Sequence, residues 1–151
     1  MSRHVAHVDW QSDGAFLAGR YSRRHVWRFD GGAEIAASSS PHVVPEPMSD
    51  PAGVDPEEAL VASVASCHML WFLDLARQAG FDVVRYADEA EGVMGRIGPG
   101  RMALSRIVLR PSIEFAGEGP DPERLARLHE EAHERCFIAN SLRTEIVIES
   151  P

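Results

Sequence analysis

The sequence predicts an α+β fold, and three observations carry that prediction. The chain has 151 residues, which suits one domain with a sizeable core. Its elements run strands, helix, strands, helix, strand, with no internal repeat. One segment, Asp55–Gln78, joins a full helix start signal to an apolar run with almost no polar face.

Taken in order, His4–Trp10 (HVAHVDW) alternates apolar and polar residues as a half-buried strand does. After the turn QSDGA, Phe16–Phe29 reads as a second strand, Asp30–Gly32 as a hairpin turn and AEIAAS as a short third strand. From Ser38 to Val54, Pro41, Pro45, Pro47 and Pro51 forbid regular pairing. A loop of this length inside a domain points to function, and its apolar stretch HVVPEPM is expected to pack beside a site. Asp55 is a good N-cap, Pro56 fits the first helical position and Glu58 completes a capping box. The helix is expected to run to about Gln78 and stop at Gly80. FDVVRYADEAEGVMGRI resumes strand character, Gly98–Gly100 is a turn, and Arg101–Phe115 is a long strand bent at Pro111. Asp121 and Pro122 open a second helix, and LRTEIVIES closes the chain as a strand.

Composition excludes some functions. A formal charge of −8 argues against nucleic acid, which wants a basic footprint. No apolar run is expected to approach the ~20 residues that span a bilayer, and the N-terminus lacks an apolar signal core. The expected location is the cytoplasm, with no membrane partner. There the two cysteines read as catalytic or metal-binding rather than as a structural staple. The chain has no lysine, so every fixed cation is an arginine.

Cys67 lies in the middle of the first helix, where the helix dipole gives a thiolate little help, so a thiolate there needs an arginine. Cys136, at the end of the second helix, is better placed to move to disulfide distance of a partner. For both, the plainer reading is a small apolar core residue. A metal reading joins His129, His133 and Cys136, at i, i+4 and i+7 on one helical face, with Cys67 as a Cys2His2 set suited to zinc. Against it, Cys67 lacks a short-spaced partner, and the histidines of HEEAHER fit a solvated face. His68 points about 100° away from Cys67, a poor placement for its base, and reads as a core or interface histidine.

VDPEEALVASVASC resembles the helix start of the OsmC/Ohr family of organic hydroperoxide reductases. There a glutamate follows Asn-Pro or Asp-Pro and precedes the peroxide-attacking cysteine by ten residues. Glu57 and Cys67 match that spacing, and Cys136 with the downstream IANSL matches a second, late cysteine. Trp10 and the strand order also fit, so the resemblance covers essentially the whole chain. It implies one OsmC-like domain over 1–151, with an antiparallel sheet packed around a long buried central helix, a second helix, and an intertwined homodimer. It also implies a peroxidase without a cofactor. Cys67 attacks an organic hydroperoxide and becomes a sulfenic acid. Cys136 condenses with it to a disulfide, and a dithiol, often a dihydrolipoyl group, reduces the disulfide. An arginine held by Glu57 stabilises the thiolate.

That arginine does not transfer by motif. Arg20, Arg23, Arg24 and Arg28 all lie in GRYSRRHVWRF. If this segment is a strand, Arg23 shares a face with Tyr21, His25 and Trp27, while the other three share a stripe that reads as solvated. We assign Arg23. Leu60, Val64 and Trp71, one or two turns from Cys67, together with Phe137 are expected to form an apolar substrate pocket. The alternatives are a non-catalytic small-molecule-binding protein of the same fold and the zinc site. A homodimer is expected because a helix apolar on nearly every side needs more cover than one small sheet gives.

Overall fold

The computed structural model describes residues 1–149; Ser150 and Pro151, the end of the chain in the single-domain and closing-strand expectations, lie outside the described residues. Backbone contacts divide the chain into two compact units, 1–59 and 60–151.

In the first unit, β1 (Ala6–Asp9), β2 (His25–Phe29) and β3 (Glu34–Ala37) form an antiparallel meander in the order β1-β2-β3. Trp27 lies opposite Val8 on one side and Ile35 on the other. The expected strand from Phe16 becomes regular only at His25. Asp13 folds the preceding residues into a loop instead: its carboxylate accepts from the Ala15 and Ser22 N–H groups, each at 3.1 Å. Gly19, inside the expected strand, takes φ of 72°, which a strand would not allow. The proline-rich segment is an ordered loop. Ser38 Oγ accepts from Asp50 N–H at 2.9 Å, and Ser38 N–H donates to the Val54 carbonyl at 3.1 Å. A Cβ at Gly53 would come within 3.0 Å of the Ala37 and Ser38 backbone, so this close approach requires glycine.

Helix α1 (Pro56–Gln78) starts and stops where expected. Asp55 N–H donates to Glu58 Oε2 at 3.2 Å, and Glu58 N–H donates to Asp55 Oδ1 at 2.8 Å, which closes the capping box. At the other end Gly80 takes φ 84°, and Phe81 N–H reaches back to the Ala76 carbonyl at 3.0 Å.

The second unit contains β4 (Val83–Asp88), β5 (Glu91–Gly98), β6 (Arg101–Leu109), β7 (Pro111–Phe115), α2 (Pro122–Arg135), α3 (Phe137–Asn140) and β8 (Glu145–Ile148). β4 pairs with β7 and β5 with β6, both antiparallel. They are the two arms of one long hairpin, each interrupted at the same level, between Asp88 and Glu91 and at Arg110. Pro111 has no N–H for a continuous ladder, and Arg110 N–H turns to Asp88 Oδ1 at 2.7 Å. The bend read from Pro111 is therefore real, and it splits the hairpin between two sheets. β8 departs from the antiparallel expectation: it joins β6 in parallel, with Ile107 opposite Ile146. Asp121 caps α2, accepting from Arg124 N–H at 2.7 Å, with Pro122 in the first turn.

α1 presents one buried stripe to this unit: Val64, His68, Phe72, Leu75 and Ala76. Phe72, Leu75 and Ala76 pack on Leu128 and Ala132 of α2, and Val64 packs on Ile107 and Leu109 of β6. Each large apolar side chain so buried stabilises by about 1.5–3 kcal/mol. Leu70, by contrast, is 61% exposed, so the expected burial on nearly every side is absent in the single chain. One exclusion is also corrected: at 23 residues, α1 is long and apolar enough to cross a membrane by length and composition alone.

Candidate active site

Cys67 is half-buried on α1, and Cys136 is 1% exposed at the end of α2; both are free thiols. Cys136 breaks the helix with φ −65° and ψ 110°, so it ends α2 and caps α3. Its N–H donates to the His133 carbonyl at 3.2 Å, and its Sγ accepts from Ala139 N–H at 3.4 Å. The Cys67 thiol is its neighbour and acts on its protonation. Burial pushes the Cys136 pKa up to about 11, and the neighbouring Cys67 thiol pushes the same way, while the Ala139 N–H opposes. At neutral pH Cys136 therefore keeps its proton.

A cavity of about 280 Å³ opens on Cys67, lined by Leu70, Trp71, Asp74 and Phe137. Trp71 and Phe137 meet edge to face at 5.4 Å. Asp74 accepts from Arg77 at 2.9 Å and Gln78 at 2.7 Å, and the Arg77 bond lowers its pKa most. Two of the four expected pocket residues, Trp71 and Phe137, thus stand at the thiol. The other two do not line this cavity: Leu60 is half-buried, and Val64 is fully buried in the core stripe. The helix turns Val64 toward β6, so sharing a helical face with Cys67 was too coarse a criterion.

Arg23 and Glu57 line another cavity, of about 480 Å³, within the first unit. Trp10, Phe16 and Tyr21 form its aromatic wall, with ring centroids 5.0 to 5.8 Å apart. The Arg23 guanidinium lies 3.6 Å from the Tyr21 ring centroid and donates to the Tyr21 carbonyl at 2.6 Å. His25 Nδ1 donates to the Arg23 carbonyl at 2.8 Å. Glu57 sits half-buried in the first turn of α1. The proline-rich loop contributes Ser39, Ser40 and Val43, as expected of a loop packed beside a site. Arg23 shares the cavity with Tyr21 and His25, but Trp27 is not in its lining, and the three lie largely ahead of β2 rather than along a strand. Arg24 is paired with Asp50 at 2.8 Å, and Arg28 with Asp9 and Glu34.

The zinc set does not form: among the described residues no three or more His, Cys, Asp or Glu side chains are arranged to hold a metal ion. The histidines of α2 are not a solvated face either. His129 is 4% exposed, and its Nδ1 meets Nε2 of His68, itself 1% exposed, at 3.0 Å. Burial lowers both pKa values to about 4, and the neighbouring charges of His129 and His133 add to the shift at His68. Sequence reasoning missed this pair. The available signal was that His129 lies between Leu128 and Ala132 on the Cys136 side of α2, so it shares that helix's buried face.

The sequence model of the family described as OsmC-like protein matches residues 49–150. An OsmC-like protein of unknown function from Vibrio cholerae O1 biovar eltor has a solved structure that is 48% identical over the full length of both chains, with a TM-score of 0.96. An organic hydroperoxide resistance protein from Elizabethkingia anophelis is 18% identical and shares the fold, with a TM-score of 0.73 over 99% of this chain and 94% of that one. Uncharacterized protein YmaD from Bacillus subtilis is 23% identical over 131 residues, covering 85% of this chain and 84% of that protein. The chain spans only 18% of another curated relative, a pentatricopeptide repeat-containing protein from Arabidopsis thaliana, at 29% identity over 143 residues.

Proposed function

The chain belongs to the OsmC-like protein family, and from that premise we propose that it is a thiol-dependent peroxidase that reduces organic hydroperoxides. The observation that carries the reading is the apolar cavity that opens on Cys67, with Phe137, the residue after Cys136, in its wall. The name of the Elizabethkingia protein with the same fold agrees with it.

In this mechanism the Cys67 thiolate attacks the terminal peroxide oxygen. The S–O bond forms, the O–O bond breaks, and the alkoxide takes a proton and leaves as an alcohol. Cys136 then attacks the sulfenic sulfur; the S–S bond forms and the hydroxyl leaves as water with the Cys136 proton. A dithiol, such as a dihydrolipoyl group, supplies two electrons and two protons to restore both thiols. Such recycling suits the reducing cytoplasm. Trp71, Phe137 and Leu70 give the peroxide's alkyl chain an apolar wall. Following the family's chemistry, Arg23 with Glu57 supplies the positive charge that favours a thiolate. The working unit is a homodimer, in which a second copy covers exposed apolar residues such as Leu70 and Phe137. Light scattering at low micromolar concentration tests the dimer, and a fully active species with the mass of one chain would refute it.

Replacing Cys67 with Ser should abolish consumption of an alkyl hydroperoxide with a dithiol present. Replacing Cys136 with Ser should allow one oxidation event, detected as sulfenic acid at Cys67, and then stop. Full turnover without Cys67 would end the reading. The competing reading, a non-catalytic binding protein, rests on the aromatic cavity of the first unit; it predicts small-molecule binding with no peroxide consumption by the unaltered protein.

A further inference from the structure

We propose that the buried His68–His129 pair is a positioning device that holds α2 in the orientation at which Cys136 meets Cys67. The proposal rests on the pairing of the two thiols in the reading above, but not on peroxide chemistry.

The two helices that carry the thiols meet at two places that bear on the cysteines. One is at the thiols, where Cys67 and Phe137, the residue after Cys136, line the same cavity. The other joins His68, the residue after Cys67, to His129, seven residues before Cys136. Seven residues bring a helix back to nearly the same face about 10.5 Å along its axis. Apolar packing of Phe72, Leu75 and Ala76 on Leu128 and Ala132 presses the helices together, and the histidine bond, two turns from Cys136, adds a directional contact that fixes how α2 is turned. The histidine contact is also costly to break. Both rings are buried and neutral, so one N–H donates to the unprotonated nitrogen of the other. If the bond is lost, a polar atom is stranded in the core. His129 stacks on Phe72 at 4.5 Å, which fixes its ring plane. The bond therefore comes with a defined orientation, which an apolar contact at the same place would lack.

The bond geometry suggests the variants. A glutamine amide can stand in for a histidine Nε2, and an asparagine amide for Nδ1. His68→Gln and His129→Asn should therefore keep the bond, whereas His68→Leu and His129→Leu remove it at similar bulk. The readout is the equilibrium with oxidised dithiothreitol, in which two protein thiols form one disulfide and one dithiothreitol is reduced, two electrons each way. Its constant measures how well the fold holds Cys136 against Cys67.

We expect a drop of about tenfold or more for each leucine variant, and recovery to within about threefold of the unaltered protein for the glutamine and asparagine variants. Leucine variants that stay within threefold would overturn the proposal. So would amide variants as low as the leucine ones, since ring packing rather than the hydrogen bond would then matter. If a leucine variant fails to fold, His68→Asn, whose amide is too short to reach His129, takes its place against His68→Gln under the same criteria. A protein that forms the disulfide and ranks its variants this way, yet consumes no peroxide, would refute the peroxidase reading and leave this one standing.

Discussion

Cys136 shows how one residue serves structure and chemistry together. Its sulfur caps α3 beside the Cys67 thiol, and burial keeps it protonated. A resolving thiol benefits from that state, because a permanently ionised neighbour would repel the Cys67 thiolate. Arg23 carries the next prediction. If it provides the favourable charge, Arg23→Ala should slow oxidation of Cys67 by an alkyl hydroperoxide about tenfold, or about 1.4 kcal/mol. Arg24→Ala, which only releases Asp50, should leave the rate unchanged; stopped-flow measurement of sulfenic acid formation compares them. At this scale the sequence supplied candidates and was weak on their surroundings. Glu57, Cys67 and Cys136 were named as candidates from the family resemblance, and Trp71 and Phe137 line the cavity that opens on Cys67. Val64 and His129 were misread for one reason: periodicity gives a residue's direction on its own helix but not what faces it.

At the level of elements, local chemistry was the most legible part. The capping box of α1, the glycine stop and the proline-opened α2 follow from a few side chains acting on adjacent backbone, so the sequence alone located them. The segment from Phe16 failed because the carboxylate of Asp13 competes for the backbone that a strand would use. The division of the long hairpin between two sheets, and the parallel docking of β8, depend on partners distant in sequence. Close packing of α1 on β5 gives a test at this scale. Gly92 faces Val61, and an added Cβ would lie 2.6 Å from a Val61 methyl and 2.9 Å from a Leu104 methyl. Gly92→Ala should destabilise the protein by about 1–3 kcal/mol, read as a lower midpoint in urea. Pairing it with Val61→Ala should recover part of the loss.

For the molecule as a whole, the histidine pair makes stability depend on pH. His68 and His129 have pKa values near 4 in the folded chain against 6.5 when unfolded. Below pH 6.5 the unfolded chain takes up protons that the folded chain refuses, so stability falls as pH drops from about 6.5 to about 4 and then levels off. The carboxylates of Asp13 and Asp50, whose pKa values are lowered, act below that window, and Asp88, raised by burial, opposes the loss at its acid end. Urea unfolding between pH 7 and 4 should show a decline on the order of a few kcal/mol. The double variant His68→Leu, His129→Leu should flatten it. The parallel seat of β8 beside β6 has a consequence for biosynthesis. β5 and β6 meet across a tight turn and can zip as soon as both have emerged from the ribosome, whereas the β6–β8 pairing spans α2 and α3 and must form late. Until Ile148 is translated, one edge of β6 stays open, and a nascent chain at that stage offers an unpaired strand to its neighbours or to a chaperone.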